Sequence, residues 1–308
     1  MKKFTETRFK MGTIVNISLF EKDAKIAKMQ IEKGFSEIDR IAALFYEGVS
    51  TSDIYKLNNR IDSTITVAFE VASLLSRAQR ISENTTGAFD VTIGTLLELY
   101  SFRKGLERIP DSATVFEVKR KIGYQNLKID LEKNLLTTRN LEFKIVVGAL
   151  VKGYAVDRAI QIIQSENRNG ILINAGGDIR ATRRFDQKDW IIGIKDPIQQ
   201  NKTLDKIAIP EGAVVTSGNY EQFSIINGIR YHHIINPKTG FCSDQSHSCT
   251  VIAPSTELAD GLATGIFVLG SKEGLKVLDK YPDVECLIVD WDAKIHKSEG
   301  FDKYVIND

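Results

Sequence analysis

The segment Thr13 to Phe20 (TIVNISLF) alternates apolar and polar positions, the two-residue period of a half-buried β-strand. The period then changes. From Lys22 to Leu44, apolar residues recur at near-helical spacing (Ile26, Met29, Ile31, Phe35, Ile38, Ile41, Leu44), which predicts a long helix with one buried face. A second helix is expected from about Val67 to Thr85, where Val67, Val71, Leu74, Leu75 and Ala78 share a face. A strand-like run, Lys144 to Val147, breaks at Gly148 and restarts as an amphipathic helix. Farther on, ILINAGGDIRA predicts a strand, a glycine turn and a second strand. WIIGIKDP, KIAIP, AVVTS, FSII, SCTVIA and CLIVDW then follow as short strands. The pattern describes one α+β domain over residues 1–308, with mixed or antiparallel sheets flanked by helices.

Composition narrows the class. The chain has 308 residues, 43% of them hydrophobic and 26% charged, with a net charge of +1 and six prolines, as expected of a folded protein with ample core. Near-neutral charge and the lack of a basic stripe interleaved with aromatics argue against nucleic acid as a partner. Three cysteines, Cys242, Cys249 and Cys286, are an odd number without CxxC spacing, so they read as small core residues or free thiols. The opening residues, MKKFTETRFKMGTIVNISLF, are interrupted by Glu6, Arg8 and Lys10 and hold no apolar export core or spanning segment. The expected location is cytoplasmic, or extracytoplasmic if an export signal or lipobox has been removed.

Several short stretches carry chemistry. HHIINPKTG places two of the four histidines, His232 and His233, ahead of a turn. One could be a strand residue and the other a solvated neighbour. TELADGLATGIFVLG places Asp260 and Thr264 one helical turn apart among small residues. A carboxylate and a hydroxyl on one face suit Mg²⁺; an acidic residue offsetting a helix dipole is the alternative. GALVKGYAVDRA gives a helix start with free N–H groups and Lys152, an anion cradle in outline or simply a strand-to-helix turn. Neither GxxxxGK[ST] nor GxGxxG is present. In TTGAFDVTIG, Asp90 and Thr92 could order a loop through local bonds. In NAGGD, paired glycines permit a close backbone approach or a plain β-turn.

Taken in order, MGT, SDIYKLN, TTGAFDVTIG, GALVKGYAVD, INAGGDI, TSGNYEQF, HHIINPKTG and ADGLATGIFVLG resemble the ApbE family of FAD:protein FMN transferases, from about Met11 to Gly270. The resemblance implies Mg²⁺-dependent transfer of FMN from FAD to a Thr or Ser hydroxyl of an acceptor flavoprotein, with release of AMP. It implies Mg²⁺ ligands at Asp260, Thr264, the carbonyl of Ala149 and backbone near Ala263. FAD contacts are implied at Met11, Ala88, Phe89, Asp90, Lys152 and Ile234, with Tyr46 as the candidate aromatic facing the flavin. His233 would be the base for the acceptor hydroxyl, a role Asp260 could share.

Some positions depart from the family pattern. Val146 stands where the family usually has an Asp that contacts FAD, Asn236 replaces the Asp of the HII motif, and Val91 and Thr95 replace common residues. Tyr46 is offset by a small insertion. Two other readings therefore stand beside transfer: an FAD pyrophosphatase yielding FMN and AMP, and a non-catalytic FAD-binding protein.

Overall fold

The computed structural model describes residues 1–102, 109–199 and 201–306. Its frame is an eight-stranded sheet in the spatial order β1 (Lys2–Lys10), β2 (Thr13–Glu21), β6 (Ile171–Ala175), β7 (Asp178–Ala181), β10 (Gly212–Gly218), β13 (Ser246–Ala253), β14 (Glu285–Asp290) and β15 (Ile295–Lys297). Smaller sheets pair β3 (Thr64–Thr66), β5 (Leu135–Thr138) and β4 (Leu127–Asp130); β8 (Trp190–Lys195) and β9 (Thr203–Ile209); and β11 (Phe223–Ile226) and β12 (Ile229–His232). All these pairings are antiparallel.

One face of the large sheet is covered by helices. α1 (Ala24–Phe45) is capped by Asp23, whose Oδ1 accepts from the Lys25 and Ile26 N–H groups, and it buries Ile31, Phe35, Ile38 and Ile41. α6 (Gly148–Gln164) packs on α1, α7 (Thr256–Val277) packs on α6, and α3 (Phe69–Asn84) packs on α7. The main core forms between these helices and the inward residues of the strands, such as Ile17, Ile173, Val215 and Val251. The opposite face is covered by β8 and β9, through Trp190, Ile192, Ile207 and Ile209, together with Phe301. Helices thus flank one face and a β-hairpin the other. A smaller cluster joins α4 (Gly94–Tyr100), α5 (Ser112–Lys119) and the β11–β12 hairpin.

One local expectation is corrected. Lys144 to Val147 is not a strand of a sheet; it forms one isolated parallel bridge, Lys144 to Ile93. Its other partners lie in loops and side chains. Asn58 of α2 (Asp53–Asn58) donates to the Ile145 carbonyl (2.8 Å) and accepts from the Ile145 N–H (2.7 Å), and the Val146 N–H reaches the Val91 carbonyl (2.8 Å). The charged opening residues, to which the apolar pattern assigns no element, form the edge strand β1, paired along its full length with β2. Among the described residues no helix is long and apolar enough to cross a membrane.

Candidate active site

One end of the large sheet gathers the turns. The β1–β2 turn puts Met11 (φ 50°) and Gly12 (φ 75°) in the left-handed region, and the β6–β7 turn does the same with Gly176 (φ 64°) and Gly177 (φ 105°). The two turns touch: the Gly176 N–H donates to the Ile14 carbonyl (3.0 Å), and a Cβ on Gly176 would collide with Thr13. This explains the paired glycines of NAGGD. They let the chain reverse against its neighbour and start β7 at Asp178, beneath α6.

Where α6 and α7 meet, their backbones nearly touch. A Cβ on Gly153 would lie 2.6 Å from the Thr256 carbonyl oxygen. The first turn of α7 is capped by Ser255 Oγ and by Asp157 of α6, which accepts from the Thr256 and Glu257 N–H groups (both 2.9 Å). Asp260, one turn further in, is therefore not the residue that offsets the helix dipole. It is buried, 5% exposed, and its Oδ2 has no hydrogen-bond partner. The Gly153 N–H faces this carboxylate. In an unbroken helix that N–H would bond the Ala149 carbonyl, and Ala149 departs from helical geometry (φ −86°, ψ 20°). Thr264 lies on the same face of α7, its Oγ1 3.2 Å from Ser217 Oγ at the end of β10.

Lys152 projects into the same region. Its Nζ is 2.6 Å from Asp178 Oδ2. Burial opposes the charge on Lys152, but Asp178, Asp260 and Glu221 outweigh it and hold the ammonium above its ordinary range. Burial raises all three carboxyls, with Lys152 opposing, and repulsion from Asp178 adds to the rise of Asp260 and Glu221. Sequence reasoning missed Asp178, Glu221 and Ser217 individually, although each lies in a motif it quoted.

The two histidines differ completely. His232 is 1% exposed and packs edge-on against Phe267 of α7. Its Nε2 lies 2.8 Å from the Ser243 carbonyl and its Nδ1 accepts from the Ile234 N–H (3.3 Å), so both nitrogens are engaged. A carbonyl can only accept, so Nε2 carries the proton. His233, just past β12 and partly exposed, turns Nδ1 to the Gln222 carbonyl (3.2 Å). By the same argument Nδ1 is its donor, and Nε2 keeps a lone pair. Burial, with the nearby Lys152 charge, lowers the His233 pKa and favours the neutral ring.

The loop before α4 closes another side. A Cβ on Gly265 of α7 would press on Thr85 and Phe89, so this loop lies directly on the helix that carries Asp260 and Thr264. Asp90 is fully engaged: Oδ1 accepts from the Thr92 N–H and Oγ1–H (2.8 and 2.7 Å) and Oδ2 from the Tyr124 N–H (2.8 Å). Its side chain orders the loop, as the residue spacing suggested. Lys238 Nζ donates to Thr86 Oγ1 (3.2 Å) and joins this loop to the HHIINPKTG turn.

The model of the ApbE family matches residues 11–288 of this chain. The chain belongs to the ApbE family. A FAD:protein FMN transferase of Haemophilus influenzae is 30% identical over 88% of this chain and 82% of its own length. One from Vibrio cholerae is 30% identical over 96% of this chain and 88% of its own. Among solved structures, the ApbE protein of Thermotoga maritima has a TM-score of 0.91 at 34% identity, covering 99% of this chain and 100% of that one. The flavin transferase ApbE of V. cholerae has a TM-score of 0.85 at 27% identity, covering 98% and 99%. The fold is a single ApbE domain of antiparallel sheets and helices.

Within the ApbE fold the departures can be located. Asn236 Oδ1 accepts from the Lys238 N–H (2.9 Å), a bond that an Asp oxygen would make equally well. Val146 is half-buried on the segment clamped by Asn58 and Val91. Tyr46 ends α1 and stays 57% exposed; its ring crowds Gly48 and its carbonyl accepts from Ser52 Oγ (2.6 Å). Met11 is partly buried against the main core, as is Ala149, while Ile234, Ala88, Phe89 and Ala263 are buried.

Proposed function

We propose that this protein is a transferase that moves FMN from FAD onto a Thr or Ser hydroxyl of an acceptor flavoprotein, with Mg²⁺ as cofactor and AMP as leaving group. One observation carries the reading: His233, with a free Nε2, lies in the field of Lys152, the same ammonium that contacts Asp178 and feels the Asp260 charge.

The chain's residues suit a magnesium ion. The unpartnered Asp260 Oδ2, the Thr264 hydroxyl, the non-helical Ala149 carbonyl and backbone near Ala263 are hard oxygen donors, and a divalent cation would favour the ionised form of the buried Asp260 carboxyl. Among the described residues no three His, Cys, Asp or Glu side chains form a metal cage. A site with one carboxylate that leaves room for substrate oxygens fits that finding. When bound, Mg²⁺ would neutralise charge developing on the pyrophosphate.

The other roles belong to side chains. Lys152 supplies a fixed positive charge to the FAD phosphates. Met11, the Ala88–Phe89–Asp90 segment, Tyr46 and backbone at Ile234 border the nucleotide, with Asp90 contributing its backbone because its carboxylate is occupied. The acceptor oxygen attacks the FMN phosphorus, the bond to the bridging oxygen breaks, and AMP leaves. The acceptor proton passes to His233 Nε2. Nδ1–H on the Gln222 carbonyl holds the ring in that tautomer.

The test mixes the protein with FAD, Mg²⁺ and an acceptor domain and looks for ultraviolet-fluorescent covalent flavin on a denaturing gel. Covalent flavin with equimolar AMP is the expected result. AMP without covalent flavin would mean an FAD pyrophosphatase, and neither product would mean an FAD-binding protein.

A further inference from the structure

The Lys152–Asp178 pair is asymmetric. The Lys152 side chain keeps 28% of its surface open, whereas Asp178 keeps 3%. Asp178 begins β7, directly after the Gly176–Gly177 turn, so its place is fixed by the sheet and by the contact of that turn with Thr13. Lys152 ends a flexible side chain on α6, with Asp260, Glu221 and His233 all within its field. An unrestrained ammonium among three carboxylates has several places to go. A buried partner at 2.6 Å selects one of them.

We infer that Asp178 is a positioning residue: it does not touch FAD but anchors Lys152, so that the ammonium is held in one place for the substrate phosphates. This rests on the reading that Lys152 contacts FAD. Three features carry it. Asp178 is too shielded to reach a ligand. Its carboxylate contacts the ammonium directly, whereas Asp260 and Glu221 act on Lys152 through their charges. Asp178 meets the ammonium from the start of β7, just after the glycine turn, while part of the Lys152 side chain stays open. An ammonium fixed in advance loses less freedom when the phosphates arrive, so the anchor acts on FAD binding.

The test is a double-mutant cycle on FAD affinity, read by titration in the presence of Mg²⁺, with Asp178→Asn, Lys152→Met and the double variant. Each single change is expected to weaken FAD binding roughly tenfold or more, the range for loss of a charge-assisted contact. The double variant should bind like Lys152→Met, within about twofold, because an anchor has no effect once its lysine is gone. Asp178→Glu should recover part of the affinity. Asp178→Asn leaves a buried ammonium without its partner and lowers the melting temperature, and the double variant should regain part of that loss. If Asp178→Asn does not fold, comparing the double variant with Lys152→Met still decides. Additional weakening of more than about fivefold in the double variant would mean that Asp178 acts independently of Lys152, and overturns the inference. Unchanged affinity in Asp178→Asn does the same. Unchanged affinity in Lys152→Met overturns it through its premise, and is recognised because Lys152 alone then has no effect.

Discussion

His232 and His233 are adjacent in sequence yet hold opposite tautomers: His232 donates through Nε2 to the Ser243 carbonyl, and His233 donates through Nδ1 to the Gln222 carbonyl. Only His233 is left with an Nε2 lone pair. The difference follows from strand geometry, which sends neighbouring side chains to opposite faces, here at the end of β12.

His233→Ala is therefore expected to lower the transfer rate by about 10²–10⁴ while leaving FAD affinity near wild type, since proton removal matters in the transition state. Single-turnover flavin transfer and FAD titration make the measurement. Normal transfer by the variant would remove His233 from the mechanism.

His232 has a different consequence. Its unfolded pKa is near 6.5, and burial lowers the folded value to about 4, against the raising effect of the Ser243 bond. Between those values the unfolded chain holds a proton that the fold does not, so this contribution rises with pH and is lost as pH falls from about 6.5 towards 4. Between pH 7 and pH 5 it amounts to about 2 kcal/mol. Buried Asp178 and Asp260, raised by burial, have the opposite sign, so the quantity to compare is the difference between proteins. Denaturant unfolding of wild type and His232→Phe should show the variant less stable at pH 7, with the gap narrowing by about that amount at pH 5. Parallel pH profiles would mean that the buried ring does not control acid stability.

Much of the fold was legible because the signal is local. α1, α3 and the short strands are written in apolar spacing, and Asp260 and Thr264 declare themselves by sharing a helix face. β1 was not, because KKFTETRFK is an edge strand whose polar residues are tolerated only through its pairing with β2. Lys144–Val147 reads as a strand because Ile145, Val146 and Val147 are β-branched, but its partners are an Asn side chain and loop backbone. Asp178 lay within a quoted motif, yet its meaning depends on Lys152, which only the packing of α6 on the sheet brings near.

Asp260→Ala is expected to cut turnover by orders of magnitude and to weaken Mg²⁺ binding, since it removes the one charged ligand assigned to the ion. Folding should change little. The carboxyl is buried, burial raises its pKa and its Oδ2 has no partner, so its removal offsets the lost Gly153 bond. Steady-state turnover, Mg²⁺ titration and thermal unfolding separate the two effects. A large fall in stability accompanied by unaltered Mg²⁺ affinity would assign Asp260 to the helix interface instead.

Val146 offers the most direct test of how the departures from the family pattern matter. Its backbone path is fixed by the Asn58 clamp on Ile145 and by its own N–H bond to Val91, neither of which needs the valine side chain. Val146→Asp should therefore keep the loop in place and add the acceptor that the family resemblance implies at this position. FAD binding should tighten by about 1 kcal/mol, roughly fivefold, the scale of one net hydrogen bond. The new carboxylate would also repel the FAD phosphates, and that repulsion acts against the gain. Mg²⁺ at the Asp260 site would offset it, so the tightening should appear with Mg²⁺ present and shrink without it. Weaker binding under both conditions would show that the site has been rebuilt around an apolar residue, with FAD held by groups other than the one the family uses here.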